Sequence, residues 1–359
     1  MGEAGAVSAP ESSFPSTHFS DVHLIPDCLP ELDLASIDLT TSVAGLRLAT
    51  PVVVNAMTGG TARGLEANRA LSRAAALAGA AIAVGSQTIL RESPEALATF
   101  SVVRDENPHG IIFANLPAGS SPDDAKRAAD VLHADALQLH LNAAQELAMP
   151  EGDRDFRGRL AAIERVCAAV PFPVIVKEVG AGIAREHARR LKEAGVAAID
   201  VGGAGGTDFR DVERRRAAAR RLAPGGETGG AAGRAGGRES EHRPAHYSWG
   251  LPTAISLLEV AGSGLDVVAG GGIRSGLDAV KAFALGAKAV SVAAPLLRAL
   301  DAGGPRGAEV YLRGFLDQIR EVLLLSGAAG VGPAAYLPVV LSGLARDWAA
   351  ARGRRNTQS

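Results

Sequence analysis

From residue 51 onward, short apolar runs rich in β-branched residues alternate with longer Ala-, Leu- and Arg-rich stretches of helical periodicity. The runs fall at 51–57, 81–85, 110–116, 136–141, 173–179, 197–202, 265–270 and 289–293. A run with little polar alternation belongs to a strand covered on both faces, and strands that alternate with helices pair in parallel. Segments 68–77, 122–132, 156–170 and 184–194 supply the intervening helices. Eight such units make a single (β/α)8 TIM barrel the economical α/β reading, with an open doubly wound sheet as the alternative. A chain of 359 residues exceeds a bare barrel of roughly 250, so added segments are expected.

Those segments interrupt the pattern. Residues 1–46 read as an N-terminal extension without Lys or Arg, made acidic by Asp21, Asp27, Glu31, Asp33 and Asp38. The barrel is expected over 47–346, with a flexible Gly- and Arg-rich insertion at 210–248 after the sixth strand, and residues 347–359 as a tail. The insertion carries Arg214, Arg215, Arg216, Arg220 and Arg221, then the Gly-rich run 225–237. A loop after the sixth strand can cover the barrel mouth, so the insertion reads either as a lid or as a functionless linker. Its arginines read as the end of a solvated helix. The apolar segments 310–325 and 336–345 read as C-terminal helices for core packing or subunit contacts.

Composition narrows the partner. Lys and Arg number 37 against 39 Asp and Glu, and 47% of residues are hydrophobic, which excludes a disordered chain and a broad nucleic-acid surface. Aromatics, at 4%, are too few for a base-stacking platform. Cys28 and Cys167 build neither a disulfide framework nor a zinc site. There is no basic segment leading an apolar core at the N-terminus, and no apolar run near the roughly 18 residues that span a bilayer. The expectation is a cytoplasmic protein with a small-molecule partner, no nucleic acid and no membrane.

In a barrel the C-terminal strand ends carry the chemistry. After the seventh and eighth runs, Gly270-Gly-Gly-Ile-Arg274 and Ala293-Ala294 occupy the usual phosphate pocket, where glycines let backbone approach and helix N-termini point amides at an anion. Lys177 ends the apolar run 174–176, so its ammonium must meet an anion or an electron-rich group in the mouth. An ion pair with Glu178 and a Schiff base are the competing roles. His140, Asn142, Gln145 and Glu146 follow the fourth run together, with Glu151, Asp153 and Asp155 just beyond. Glu146 is the candidate ligand for a hard cation such as Mg2+, which takes few carboxylates and completes its shell with water and phosphate. Read alone, His140 would be a satisfied buried histidine and the later acids helix caps. Thr58, Ser86, Asn115 and Thr207 add short hydrogen-bonding groups at the rim, suited to a planar, heteroatom-rich cofactor.

These strings together resemble one family, the type 2, FMN-dependent isopentenyl-diphosphate isomerases. The resemblance rests on Asn55-Ala-Met-Thr-Gly-Gly60, Gly85-Ser-Gln87, Phe113-Ala-Asn-Leu116, Leu137-Gln-Leu-His-Leu-Asn142, Gln145-Glu146 and Pro150-Glu-Gly-Asp-Arg-Asp-Phe156. It continues through Pro173-Val-Ile-Val-Lys-Glu-Val-Gly180, Asp200-Val-Gly-Gly-Ala-Gly-Gly-Thr207, Trp249-Gly250, Pro252-Thr253 and Gly271-Gly-Ile-Arg274, in family order over residues 19–297. It implies an isomerase that converts isopentenyl to dimethylallyl diphosphate, with reduced FMN as acid and base, NADPH as reductant and Mg2+ on the diphosphate. Carried over by motif, Ala56, Met57, Thr58, Ser86, Asn115, Lys177, Thr207, Gly271, Gly272, Arg274, Ala293 and Ala294 would hold FMN. Gln145, His140 and Asn142 would be catalytic, with Gln145, Ser86, Gln87 and Thr88 against the substrate and Glu146 on the metal. The same resemblance implies a homo-oligomer, a tetramer or octamer.

The match departs from the family at cations. Family members carry an N-terminal Arg-Lys pair and a nearby His that grip the diphosphate, whereas the first Lys or Arg here is Arg47. Pro26 and Asp27 replace two histidines before Leu29-Pro30, and Thr88 stands where many members have Arg. A late start of the chain and a changed substrate are the two explanations, and Arg243 in the insertion is a candidate compensating cation. An FMN-dependent oxidoreductase on another small substrate, or a non-catalytic flavin-binding paralogue, are the alternative functions.

Overall fold

The computed structural model describes residues 16–222 and 249–353. The Gly-rich run 225–237 and Arg243 lie outside the described residues. Eight parallel strands close into a barrel in the order of the sequence: β1 Val52–Val54, β2 Ala81–Ala83, β3 Ile112–Pro117, β4 Ala136–Leu141, β5 Val174–Glu178, β6 Ala198–Asp200, β7 Asp266–Ala269 and β8 Ala289–Val292. β8 pairs with β1, and β6 pairs with β7 across the insertion, so the doubly wound alternative is excluded.

The period of two along each strand decides what the interior contains. Val53, Ala81, Phe113, Ala136, Ile175, Ala198, Val268 and Ala289 form one internal apolar cluster near the N-terminal strand ends. Two residues further along, seven of the eight strands carry Asn55, Asn115, Gln138, Lys177, Asp200, Gly270 and Ser291, while β2 carries Ala83, still part of the apolar cluster. The same alternation that fills the barrel below therefore delivers a polar layer above. Alternate positions beyond Gln138 bring His140 to the mouth.

The N-terminal residues are part of this construction. Thr41–Val43 pairs antiparallel with Leu46–Leu48, and Val43 and Leu48 join the internal cluster, plugging the N-terminal end of the barrel. A boundary at 46 thus cuts a hairpin. The acids that make 1–46 look charged close turns instead: Asp27 accepts from Leu29 N, Asp33 from Ala35 N and Asp38 from Thr40 N.

The C-terminus differs from the helices expected. Segment 310–325 is helical, within Ala294–Leu325, but 336–345 is not one helix. Pro338 has no N–H to donate, and Val339–Leu341 pairs antiparallel with Val22–Leu24 before a helix restarts at Gly343–Ala351. Nor is 347–359 wholly a tail, since Trp348 Nε1 and the Arg352 guanidinium donate to the buried Glu259 carboxylate. Among the described residues no helix is long and apolar enough to cross a membrane.

Candidate active site

Two cavities open at the C-terminal mouth, and Ala56, Met57, Lys177, Val179 and Phe209 line both. The first, about 570 Å³, is walled by Ser86, Thr88, Asn115, His140, Asn142, Gln145 and Glu146. The second, about 590 Å³, is walled by Thr207, Gly271, Gly272, Arg274, Ala293 and Ala294. The expected site residues therefore meet in one two-lobed cleft, with two exceptions. Thr58 lines a neighbouring cavity and donates its hydroxyl to Asn68 Oδ1 at 2.6 Å. Gln87 is buried in the wall, donating to Ala128 O and accepting from Asn115 N, so its amide is consumed by structure.

The floor between the lobes is a closed polar network. Asp200, at 0% exposure, accepts from Asn55 Nδ2 and Ser291 Oγ at 3.0 Å each and from Gly202 N at 3.1 Å. Burial drives its pKa up, while the charge of Lys177, its register partner on β5, draws it down. The Lys177 ammonium donates to the Glu178 carbonyl, and the Glu178 carboxylate turns to the amides of Val179, Gly180 and Ala181, so the hydrogen bond between these neighbours is not a side-chain ion pair. Burial raises Glu178 to about 7 against those amides.

Around the first lobe, His140 Nδ1 lies 3.1 Å from Asn115 Oδ1, and Asn115 Nδ2 donates to Val84 O. That second bond fixes the amide, so Nδ1 of the imidazole is the donor and Nε2 is left unprotonated. Burial, then the charges of Lys177 and Arg159, lower His140 to about 4. A histidine held neutral in the fold binds fewer protons than in the unfolded chain between about pH 4 and 6.5, so stability falls as pH drops through that window. Glu178, raised to about 7, has the opposite sign between about pH 4.5 and 7, so the His140 contribution is read as a difference: from pH 6.5 to 4 the thermal midpoint of His140→Gln is expected to gain relative to wild type.

Glu146 Oε1 accepts from Asn142 Nδ2 at 2.7 Å and Oε2 from Asp153 N at 2.9 Å, which fixes the carboxylate on the cavity wall. Among the described residues no cluster of three or more His, Cys, Asp or Glu could hold a metal by itself. A cation at Glu146 would thus depend on water and substrate oxygens, the habit of Mg2+. Gln145 Nε2 donates to the buried Glu213 Oε1 at 3.2 Å. Glu213 lies on Phe209–Leu222, the helix that opens the insertion, and Arg216 joins it to Glu151.

In the second lobe, Gly271 (φ +99°) and Gly272 (φ +76°) turn under the N-termini of Gly276–Ala284 and Ala294–Leu325. A Cβ on Gly271 would overlap the Gly203 carbonyl, and one on Gly206 would press on Gly272 N. Backbone amides so exposed suit a phosphate, with Arg274 held beside them by its bond to Gly205 O. Sequence reasoning missed Asn55 and Ser291 as floor residues, Glu213 as the partner of Gln145, and Arg91, Arg159 and Arg298 as lining cations. The floor was detectable as the inward phase of each strand, whereas the others depend on tertiary approach.

A sequence profile of the FMN-dependent dehydrogenase family matches residues 116–334. An isopentenyl-diphosphate delta-isomerase of Symbiobacterium thermophilum is 47% identical over 96% of this chain and 90% of its own length. The chain belongs to the isopentenyl-diphosphate delta-isomerase family. An isomerase of the same name from Moorella thermoacetica is 44% identical over 96% of this chain and 94% of its own. Solved structures carry the likeness at the level of fold: mandelate oxidase with (S)-2-phenylpropionate superposes with a TM-score of 0.61 at 24% identity, covering 91% of this chain and 88% of that one.

Membership gives the glycine cradle a test. Gly271→Ala forces a side chain into positive φ against the Gly203 carbonyl, at a cost of about 2 kcal/mol. The expected result is a protein that folds less stably and retains little flavin after gel filtration, read from the 450 nm absorbance.

Proposed function

We propose that this chain interconverts isopentenyl and dimethylallyl diphosphate, with FMN reduced by NADPH in the second lobe and across the floor, and Mg2+ on the substrate diphosphate at Glu146. The observation that carries the reading is the joining of a glycine-cradled phosphate lobe to a lobe walled by Gln145 and Glu146 at one buried lysine, Lys177, in a chain of this family. The residues fit the cofactor: a phosphate has backbone amides and Arg274, and a planar ring has Met57, Val179 and the Lys177 ammonium at the lobe junction.

A 1,3-allylic shift adds a proton at one end of the alkene and removes another two carbons away, through cationic character at the tertiary carbon. When bound, reduced flavin supplies a proton donor and an electron-rich face to that carbon. Glu146 would hold Mg2+, which would supply positive charge to the diphosphate, and Asn142 and Asp153 N hold Glu146 in place. Gln145 orients its amide over the allylic unit, steadied by Glu213. Neutral His140 keeps a further cation away from the cationic carbon. Met57, Val179 and Phe209 exclude water between the lobes. Reduced flavin and NADPH suit a reducing cytoplasm, and the exposed apolar side chains Leu77, Val310 and Tyr336 suit a homo-oligomer, a tetramer or octamer.

The test is anaerobic incubation of the protein with FMN, NADPH, Mg2+ and isopentenyl diphosphate, followed by NMR. Dimethylallyl diphosphate is the expected product. The dehydrogenase profile favours a second reading, an oxidoreductase on another small molecule, and absence of product at saturating FMN would turn the account toward it.

A further inference from the structure

A diphosphate carries more negative charge than one Mg2+ neutralises, and residues 1–46 bring no Lys or Arg to meet it. The first lobe holds its own cations. Arg91 ends the short helix Gln87–Arg91 after β2, and Arg159 opens the helix Arg159–Ala169 beyond β4; both line the cavity that Glu146, Gln145 and Thr88 line. Among the described residues each is held by an ion pair at one corner. Arg91 Nη2 pairs with Asp124, and Arg159 Nη2 pairs with Asp153 while its guanidinium rests 5.9 Å from the Phe156 ring centroid. With side chains 48% and 28% exposed, both keep further N–H donors toward solvent and cavity.

Arg159 is also tied to the metal position. Asp153 N donates to Glu146 Oε2 and the Asp153 carboxylate receives Arg159, so one loop fixes the acid and the guanidinium together. Gly119, in the cavity wall after β3, leaves the room that Arg159 Nη1 occupies, since a Cβ there would collide with it. The Arg159 charge reaches into the site, where it acts on His140. A planar guanidinium anchored on one side and open on the other is the geometry that receives phosphate oxygens.

We propose that Arg91 and Arg159 are substrate-binding residues that grip the diphosphate beside the Glu146 metal position. This rests on the isomerase reading, and the test separates the two. The holoenzyme with FMN and Mg2+ is assayed for KM and kcat on isopentenyl diphosphate and for inhibition by inorganic pyrophosphate, as wild type, Arg91→Gln, Arg159→Gln, Arg159→Lys and Gly119→Ala. Each Arg→Gln change is expected to raise KM and the pyrophosphate inhibition constant about tenfold, with a much smaller change in kcat. Arg159→Lys should recover part of the loss, and Gly119→Ala, which keeps every charge but crowds Nη1, should raise KM in the same direction. Arg189→Gln, at an exposed pair with Glu193 on the helix Arg185–Glu193, should change neither constant. Unchanged KM and inhibition constants in both Arg→Gln variants of an active enzyme would overturn the proposal. A rise accompanied by loss of bound FMN or a lower thermal midpoint, without recovery in Arg159→Lys, would overturn it for Arg159 and leave that residue to brace Asp153. A wild-type protein that binds pyrophosphate through these arginines yet makes no dimethylallyl diphosphate would remove the isomerase reading and support the diphosphate site.

Discussion

Lys177→Met is expected to lower stability by about 3 kcal/mol and FMN affinity at least tenfold. Lys177 is 7% exposed and its register partner Asp200 is 0% exposed, so methionine removes the nearby cation from a carboxylate that water cannot reach. Asn55, Ser291 and Gly202 N still donate to Asp200, which limits the loss but does not supply a charge. With Lys177 gone, burial drives the carboxyl to keep its proton, and the donors that favoured the carboxylate are mismatched. Because Lys177 also lines both lobes, a flavin bound there as proposed would lose its cation in the same step. Denaturant unfolding and flavin-fluorescence titration check the two effects, and a variant equal to wild type in both would remove Lys177 from the account. Lys177→Arg is not a conservative rescue, since the larger guanidinium cannot occupy the ammonium's place on the packed floor.

Glu146→Gln is expected to reduce kcat/KM on isopentenyl diphosphate at least a hundredfold and to raise the Mg2+ concentration that activity requires. Glutamine keeps the shape and can accept one of the two wall hydrogen bonds, from Asn142 Nδ2 or Asp153 N, so the fold is spared and the missing charge is isolated. FMN content should stay at the wild-type level, because Glu146 lines the first lobe and not the phosphate cradle. Initial rates over a Mg2+ series check this, and full activity at ordinary Mg2+ would contradict the metal role.

The barrel was legible because its strands are covered on both faces, which turns each into an apolar run that ends abruptly in polar or glycine residues. Seven of the eight runs contain the strands they announce and the third strand passes its run by one residue, Pro117, while helix Pro122–Leu132 matches its expected bounds because Ser121 and Asp124 form a capping box and His133 (φ +44°) ends it. The gathering of the candidate residues around one cleft was legible for the same reason: strand ends that face the cleft lie far apart in sequence but at equivalent positions of each unit. What the pattern left hidden depends on tertiary approach. Gln87 sits between two rim residues, yet the 310 turn after Ser86 sends its amide into the wall. Asp27, Asp33 and Asp38 made the extension 1–46 read simply as acidic because a turn-closing aspartate and a solvated one have the same sequence. The strand at Val339–Leu341 exists only because Val22–Leu24, more than three hundred residues earlier, supplies its edge.

The central claim, an isomerase whose flavin works without net redox change, is tested most directly by counting. Anaerobic protein with FMN and Mg2+ is given a limiting amount of NADPH and excess isopentenyl diphosphate, and dimethylallyl diphosphate formed is divided by NADPH oxidised. The account predicts a ratio far above one that keeps rising after the NADPH is spent. A ratio of one or less, with substrate consumed in step with NADPH, would contradict it and identify an oxidoreductase.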